Sequence, residues 1–259
     1  MEIRFGPAGL GSVKEAISNL EEYNKAGIKA CEIAFTYGVY IKKEEDAIEI
    51  GKAAKKFNIK LTIHAPYWIN LNSNDKKKIE ESKNRILECC KIGSYLGAKL
   101  VVFHPGFYGK DDKKTTYENI KKEIIKLQNI IEKNKYKIKL APETTGKINV
   151  FGSLEEISLL VKETKCSFCL DFAHILARDK KIDYKRIEEL FPQKEWHCHF
   201  SGIEYGEKGE KNHKITQENG IKELLKNLPK HKNITIINES PLPFEDSIKM
   251  IKVYKNLFN

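Results

Sequence analysis

Eight short apolar runs, separated by longer amphipathic segments, constrain the fold of this chain more than any other feature of its sequence. Most of these runs are continuously apolar, as expected of parallel strands that are buried on both faces. We predict strands at Glu2–Phe5, Ala30–Phe35, Leu61–His64, Leu100–His104, Ile138–Glu143, Phe168–Asp171, Trp196–Phe200 and Ile234–Glu239. They recur at intervals of roughly 30 to 40 residues, which is the spacing of strand–helix units in a barrel.

The segments between these runs have the pattern of amphipathic helices. Ser12, with Glu15 three residues later, has the pattern of a helix N-cap, and Gly27, Asn58 and Gly97 fall where helices should end. We predict helices at about Ser12–Gly27, Glu44–Phe57, Lys76–Leu96, Thr115–Asn134, Ser153–Thr164, Asp183–Leu190, Gln217–Asn227 and Phe244–Leu257.

Eightfold strand–helix alternation predicts an α/β fold, a (β/α)8 TIM barrel, with residues 1–259 forming one domain. The alternative is a doubly wound open sheet. Against it, no Gly-x-Gly-x-x-Gly motif follows a strand, and polar groups end nearly every later strand instead of clustering at one crossover.

The overall composition indicates a soluble globular protein. Hydrophobic residues make up 41% of the 259 residues and charged residues 32%, and no apolar run approaches the roughly 20 residues of a membrane span. The N-terminus enters a strand directly and the six cysteines suit buried free thiols, so we expect a cytoplasmic protein, and a monomer. The net charge of +10 is compatible with a polyanionic partner such as nucleic acid.

Six consecutive predicted strands end in an imidazole or a carboxylate. The C-terminal strand ends of a barrel meet around one mouth, which is where active sites lie. Nitrogen and oxygen donors together suit zinc, with manganese or iron as alternatives, and divalent cations would remove the repulsion among the carboxylates. We therefore predict a metal site built from His64, His104, Glu143, Asp171, His199 and Glu239, with His174 just beyond Asp171.

Six motifs at these strand ends, taken in order, resemble endonuclease IV, the zinc-dependent apurinic/apyrimidinic endonucleases of the xylose isomerase-like barrel superfamily. The resemblance covers nearly the whole chain. The motifs are His64–Leu71, Phe103–Gly106, Pro142–Gly146, Cys169–His174, Cys198–Ser201 and Asn238–Pro241. It implies hydrolysis of the phosphodiester 5′ to an abasic site in double-stranded DNA, as in base-excision repair.

The resemblance also implies up to three zinc ions, with Glu143 bridging two of them and orienting the nucleophile. The implied ligands of the first ion are His64, His104 and Glu143. Those of the second are Glu143, Asp171, His199 and Glu239. Those of the third include His174 and His213.

Two departures from the family pattern bear on this interpretation. Lys211 stands where the family has an Asp, two residues before His213, so the third site lacks its expected carboxylate ligand. Glu210 and Glu207 are the candidates to replace that Asp. The family also inserts a Tyr and an Arg into DNA. Tyr67 matches the Tyr position, but the loop after the second strand offers Tyr37 and Tyr40 as base-stacking residues and contains no Arg.

Two other functions remain open at this point. A sugar isomerase or epimerase on the same barrel needs one divalent metal, for which Glu143, Asp171, His199 and Glu239 would suffice. A non-catalytic nucleic-acid-binding protein needs only the basic surface. Metal stoichiometry separates the two enzymes, since one tightly bound ion favours the isomerase and two or three favour the nuclease. His197 lies one pleat below His199 on the same strand face, and we expect it to be buried, either as a core residue or as a support for the site.

Overall fold

The structure is a computed structural model that describes residues 2–258. The strands of this part of the chain are β1 Ile3–Pro7, β2 Ala30–Ala34, β3 Lys60–His64, β4 Leu100–Phe103, β5 Lys139–Pro142, β6 Leu170–Asp171, β7 Glu195–Phe200, β8 Gly202–Gly206, β9 Gly209–Lys214 and β10 Asn233–Asn238. The helices are α1 Ala16–Lys25, α2 Glu44–Lys56, α3 Lys76–Leu96, α4 Lys113–Lys133, α5 Leu154–Thr164, α6 Phe172–Asp179, α7 Tyr184–Leu190, α8 Glu218–Asn227 and α9 Pro243–Phe258.

Eight of these strands run parallel and close into a barrel. One ladder has the order β1-β10-β7-β6 and the other β2-β3-β4-β5. Parallel bridges between Ala8 and Glu32 and between Glu143 and Cys169 join the two ladders at both seams. The predicted TIM barrel is therefore confirmed, and the open doubly wound sheet is excluded.

Successive residues of each barrel strand point in opposite directions, one into the barrel interior and the next toward the surrounding helices. In β3, Leu61 and Ile63 belong to the large apolar core under the helices, whereas Thr62 and His64 are the buried polar residues of the same strand. Among residues 2–258, a second and much smaller apolar layer inside the barrel is formed by Leu100, Val102, Ala141 and Cys169. Polar side chains occupy the interior above this layer.

The structure differs from the predicted elements in three places. The proposed N-cap at Ser12 is wrong, because α1 begins at Ala16 after a turn and the Ser12 hydroxyl donates instead to Glu15 Oε2, at 2.7 Å. Helix α6 starts directly after Asp171, and the β8–β9 hairpin follows β7; neither was predicted. Among residues 2–258, the helices all lack the length or the apolar character needed to cross a bilayer.

Candidate metal centre

The C-terminal ends of six neighbouring barrel strands bring the predicted ligands together. His64 ends β3 and Asp171 ends β6, while His104 and Glu143 come directly after β4 and β5. Because these residues share the inward-facing register of their strands, they converge inside the mouth of the barrel instead of on its rim. Glu143, Asp171 and His199 are completely buried.

The first cluster consists of His64, His104 and Glu143, whose donor atoms lie within 4.8 Å of one another. The Nε2 atoms of the two histidines lie 3.1 and 3.2 Å from Glu143 Oε2. His64 Nδ1 contacts the carbonyl of Ala65 at 2.8 Å, and this hydrogen bond requires the proton on Nδ1. An Nε2 lone pair then faces a carboxylate, which is favourable only when a proton or a metal ion lies between them.

The second cluster consists of Glu143, Asp171, His199 and Glu239, again with donor atoms within 4.8 Å. His199 Nδ1 lies 3.3 Å from Glu143 Oε1 and 3.3 Å from Glu239 Oε2. Glu143 therefore presents Oε2 to the first cluster and Oε1 to the second. This is the arrangement of a carboxylate that can bridge two cations.

The third cluster consists of Asp171, His174 and His213. Asp171 is the N-cap of α6, with Oδ1 accepting the His174 backbone N–H at 2.8 Å. His174 lies on the first turn of this unpredicted helix, and His213 is carried by strand β9 of the unpredicted hairpin. All eight predicted ligands thus lie in one continuous group at the barrel mouth.

Several donor atoms of this group are buried without a hydrogen-bond partner among residues 2–258. They are Glu143 Oε1, Asp171 Oδ2, His174 Nε2 and His199 Nδ1. Leaving such atoms unsatisfied is unfavourable by roughly 1–3 kcal/mol each, and more for charged groups. Divalent cations would satisfy all of them, so the donor set fits metal ions.

The carboxylates of the centre raise the pKa values of an acid, Asp171, and of a base, His64. Burial raises the pKa of Asp171, and the neighbouring Glu143 and Glu239 add to the increase. Burial alone would lower the pKa of His64, but the hydrogen bond and charge of Glu143 outweigh it and raise this pKa to about 9. Both shifts show carboxylates competing for too few positive charges in the metal-free centre.

Glu32 is a site residue that sequence reasoning missed. It is completely buried on the inner face of β2, and its Oε2 accepts hydrogen bonds from Thr62 Oγ1 at 2.8 Å and His197 Nε2 at 2.9 Å. Its Oε1 lies 2.8 Å from His199 Nε2, on the side of the ring opposite the second cluster. The available signal was a charged residue inside an otherwise apolar run, Ala30–Phe35.

Aromatic side chains stand exposed beside the centre. Tyr37 is 81% exposed, Trp68 60% and Tyr67 59%. The Tyr37 and Trp68 rings are 6.0 Å apart, and Tyr67 lies 6.0 Å from the His64 ring. Tyr40 instead packs edge-on against buried Phe35, at 5.2 Å. Sequence reasoning named the three tyrosines but did not select Trp68, although two adjacent aromatic residues after a strand were a usable signal.

The chain belongs to the xylose isomerase-like TIM barrel family, whose family model matches residues 20–254. It is 34% identical to an uncharacterized protein of Methanocaldococcus jannaschii, covering 98% of this chain and 97% of that protein. It is also 30% identical to a probable endonuclease 4 of Aster yellows witches'-broom phytoplasma, covering 96% and 94%. The resemblance to endonuclease IV is thereby confirmed.

Other relatives match over a shorter span. A probable endonuclease 4 of Mesomycoplasma hyopneumoniae strain J is 33% identical over 135 residues, which is 50% of this chain and 46% of that protein. The alignment therefore spans about half the length of that relative.

Solved structures share the fold at low sequence identity. SacUVDE superposes with a TM-score of 0.76 at 16% identity, covering 99% of both chains. Endonuclease IV from Thermus thermophilus gives 0.69 at 19% identity, covering 99% of this chain and 98% of that one. D-psicose 3-epimerase from Clostridium cellulolyticum, solved with D-tagatose, gives 0.70 at 14% identity, covering 100% of both.

Proposed function

We propose that this protein is a zinc-dependent endonuclease that hydrolyses the phosphodiester bond 5′ to abasic sites in double-stranded DNA, as a base-excision repair enzyme. The observation that carries the proposal is the position of Glu143 between two donor clusters. Its two oxygens face different sets of histidines, at 3.1–3.3 Å. Two adjacent cations are suited to an in-line displacement at phosphorus, because they can stabilise both the attacking and the leaving oxygen.

Each part of the centre has a defined role in this proposal. His64 and His104 would hold the first ion, and Asp171, His199 and Glu239 the second, with Glu143 shared between them. Zinc, when bound, lowers the pKa of a bound water so that hydroxide is available near neutral pH. Glu143 is the residue placed to orient that nucleophile, since it lies between both sets of ligands and is completely buried.

The exposed aromatic residues support a DNA substrate. Tyr37, Tyr67 and Trp68 are exposed beside the metal centre, where they can stack on bases that flank a gap in the duplex. Tyr40 is a weaker candidate for base stacking, because its ring already packs edge-on against Phe35. The net charge of +10 favours association with the phosphate backbone.

The test is a cleavage assay on a duplex with a single abasic site, beside metal analysis of the same preparation. We expect cleavage 5′ to the lesion, its loss after chelation and its return with zinc. His104→Ala, which removes one first-cluster ligand, should lower the rate by roughly 100-fold or more, about 2.7 kcal/mol of barrier. An unchanged rate in this variant would exclude His104 from the centre.

The same preparation tests the epimerase alternative. The second cluster alone offers three carboxylates and a histidine to one metal, and the fold is shared with D-psicose 3-epimerase. Conversion between ketohexoses by a chain holding one ion, with no cutting of abasic DNA, would replace the nuclease proposal. The presence of His64 and His104 in a second cluster argues against that outcome.

A further inference from the structure

Strand β9 contains a β-bulge beside the metal centre. Asn212 pairs with Glu204, but the next pair joins Glu210 to Tyr205, so Lys211 is an extra residue in the register of the hairpin. In a regular strand Lys211 would share a face with His213, and Glu210 would lie on the opposite face. The bulge reverses this alternation, as bulges next to active sites commonly do.

The side chains follow the reversed alternation. Glu210 Oε2 lies 3.5 Å from His174 Nε2, and Glu210 Oε1 lies 3.9 Å from His213 Nε2. Lys211 points elsewhere: it is exposed, and a Cβ atom on Gly206 would lie 3.2 Å from its Cε, so its chain lies across Gly206 in the opposite strand. The lysine charge is thus kept away from the histidines.

Both histidines direct Nε2 toward Glu210 and bond elsewhere through Nδ1. The Ser201 hydroxyl donates to the Gly202 carbonyl at 2.9 Å, so at 2.7 Å it accepts the Nδ1–H of His213. His174 Nδ1 is in turn 3.0 Å from the Thr144 carbonyl, which can only accept a hydrogen bond. Metal-binding histidines are held in this way by a hydrogen bond at their other nitrogen.

Gly146 provides the space for the Glu210 side chain. A Cβ atom at position 146 would lie 2.7 Å from Glu210 Cβ, closer than real contacts allow, and 3.1 Å from His174 Cδ2, which is a tight contact. The Glu210 backbone N–H donates to the Gly146 carbonyl at 3.0 Å, which ties β9 to the loop after β5. The close approach of Glu210 therefore depends on the absence of a side chain at this position.

We propose that Glu210 is the carboxylate ligand of a third divalent cation, held together with His174 and His213, and that the bulge at Lys211 places it there. Ligand atoms around a tetrahedral zinc ion lie roughly 3.3 Å apart, close to the 3.5 and 3.9 Å separations of Glu210 from the two imidazoles. This inference rests on the proposed function only in taking the centre to bind divalent cations.

The test is metal stoichiometry and affinity, measured without DNA. The chain is loaded with Zn²⁺, dialysed, and analysed for zinc per chain and by competition with a chromophoric chelator. We expect three ions in the unaltered protein, and in Glu210→Gln a third ion bound about 10-fold or more weakly while the other two are retained. Retention of those two ions shows that the variant is folded.

Three further variants make the result specific. Glu207→Gln removes an exposed carboxylate in the turn of the same hairpin and should leave all three ions in place. Gly146→Ala removes no ligand but should weaken the third ion, and it takes over the test if Glu210→Gln does not fold. Glu210→Gln combined with Lys211→Asp should still lack the third ion, because the side chain at position 211 points away.

Several outcomes would overturn the proposal. These are only two ions in the unaltered protein, full retention of the third ion in Glu210→Gln, an equal loss in Glu207→Gln, or its restoration by Lys211→Asp. The result is separable from the nuclease proposal. A chain with three ions that cuts no abasic DNA removes the proposed activity and leaves Glu210 as a ligand, whereas a two-ion chain that cuts DNA does the reverse.

Discussion

The mouth and the floor of the barrel are built by the same strands but have opposite chemistry. The mouth gathers carboxylates and imidazoles that are largely buried, such as Glu143 and His199. The floor, at the N-terminal strand ends, is an open cleft of about 970 Å³ lined by lysines, among them Lys99, Lys139 and Lys194. Within residues 2–258 these three lysines form no ion pair.

The two ends of the barrel contribute differently to the free energy of folding. Exposed lysines at the floor keep their hydration, so they change the free energy of folding little in either direction. Buried donors without partners at the mouth destabilise the metal-free protein, since each loses hydration without gaining a hydrogen bond. Residues that destabilise a fold yet converge on one point indicate function, and the exposed lysines of the floor are not of this kind.

Glu143→Gln, at the mouth, is expected to have the largest effect on zinc content and cleavage, and it tests the contrast between the mouth and the floor. The amide keeps the shape of the side chain but removes the charge shared by two clusters, so we expect zinc content to fall by two ions per chain. Cleavage of abasic duplex should fall by roughly 1,000-fold or more, about 4 kcal/mol of barrier. Glu123→Gln, which alters a buried carboxylate paired with Lys83 away from the mouth, is the control and should keep its zinc.

An intermediate effect is expected from Glu32→Gln, one layer below the ligands. Glu32 lies 2.8 Å from His199 Nε2, and removing its charge should lower zinc affinity by about 10–100-fold, as loss of a carboxylate behind a metal-bound histidine typically does. The number of ions bound at saturating zinc should not change. Chelator competition measures the affinity, with Thr62→Val as a milder control that removes one hydrogen bond to Glu32. An unchanged zinc affinity in Glu32→Gln would mean that Glu32 is a core residue without a role in metal binding.

The smallest effect is expected at the floor. Lys99→Gln with Lys139→Gln should leave zinc content and cleavage unchanged and alter stability by no more than about 0.5 kcal/mol. The matched pair at the mouth is Lys147, in the loop after β5, and Lys208, in the β8–β9 turn; both are exposed, and the two segments are hydrogen-bonded to each other. Lys147→Gln with Lys208→Gln should reduce the salt dependence of duplex binding by up to roughly 0.9 in log–log slope for each lost phosphate contact. An equal reduction from the floor pair would mean that both faces contact DNA.

The eight barrel strands were predictable because their signal is local. A strand buried on both faces has to be apolar along its length, and a donor at its C-terminal end has to face the mouth. Ligands such as His64, Asp171 and Glu239 could therefore be named without coordinates. Helix α6 was missed because Asp171, which is its N-cap, was interpreted only as the ligand that ends a strand.

The rest of the centre depends on pairings between distant parts of the chain. Glu32 and His199 meet only because closing the barrel puts β2 opposite β7, and nothing local to Glu32 distinguishes it from a strand residue with a salt bridge. The choice between Glu210 and Lys211 follows from the register of β9 against β8. A one-residue shift in a strand exchanges its two faces, so the pairing of β9 with β8 decided which side chain reaches the histidines. The ring of donors around them was determined by the sequence alone, because the strand–helix repeat places one donor at the end of each of six strands.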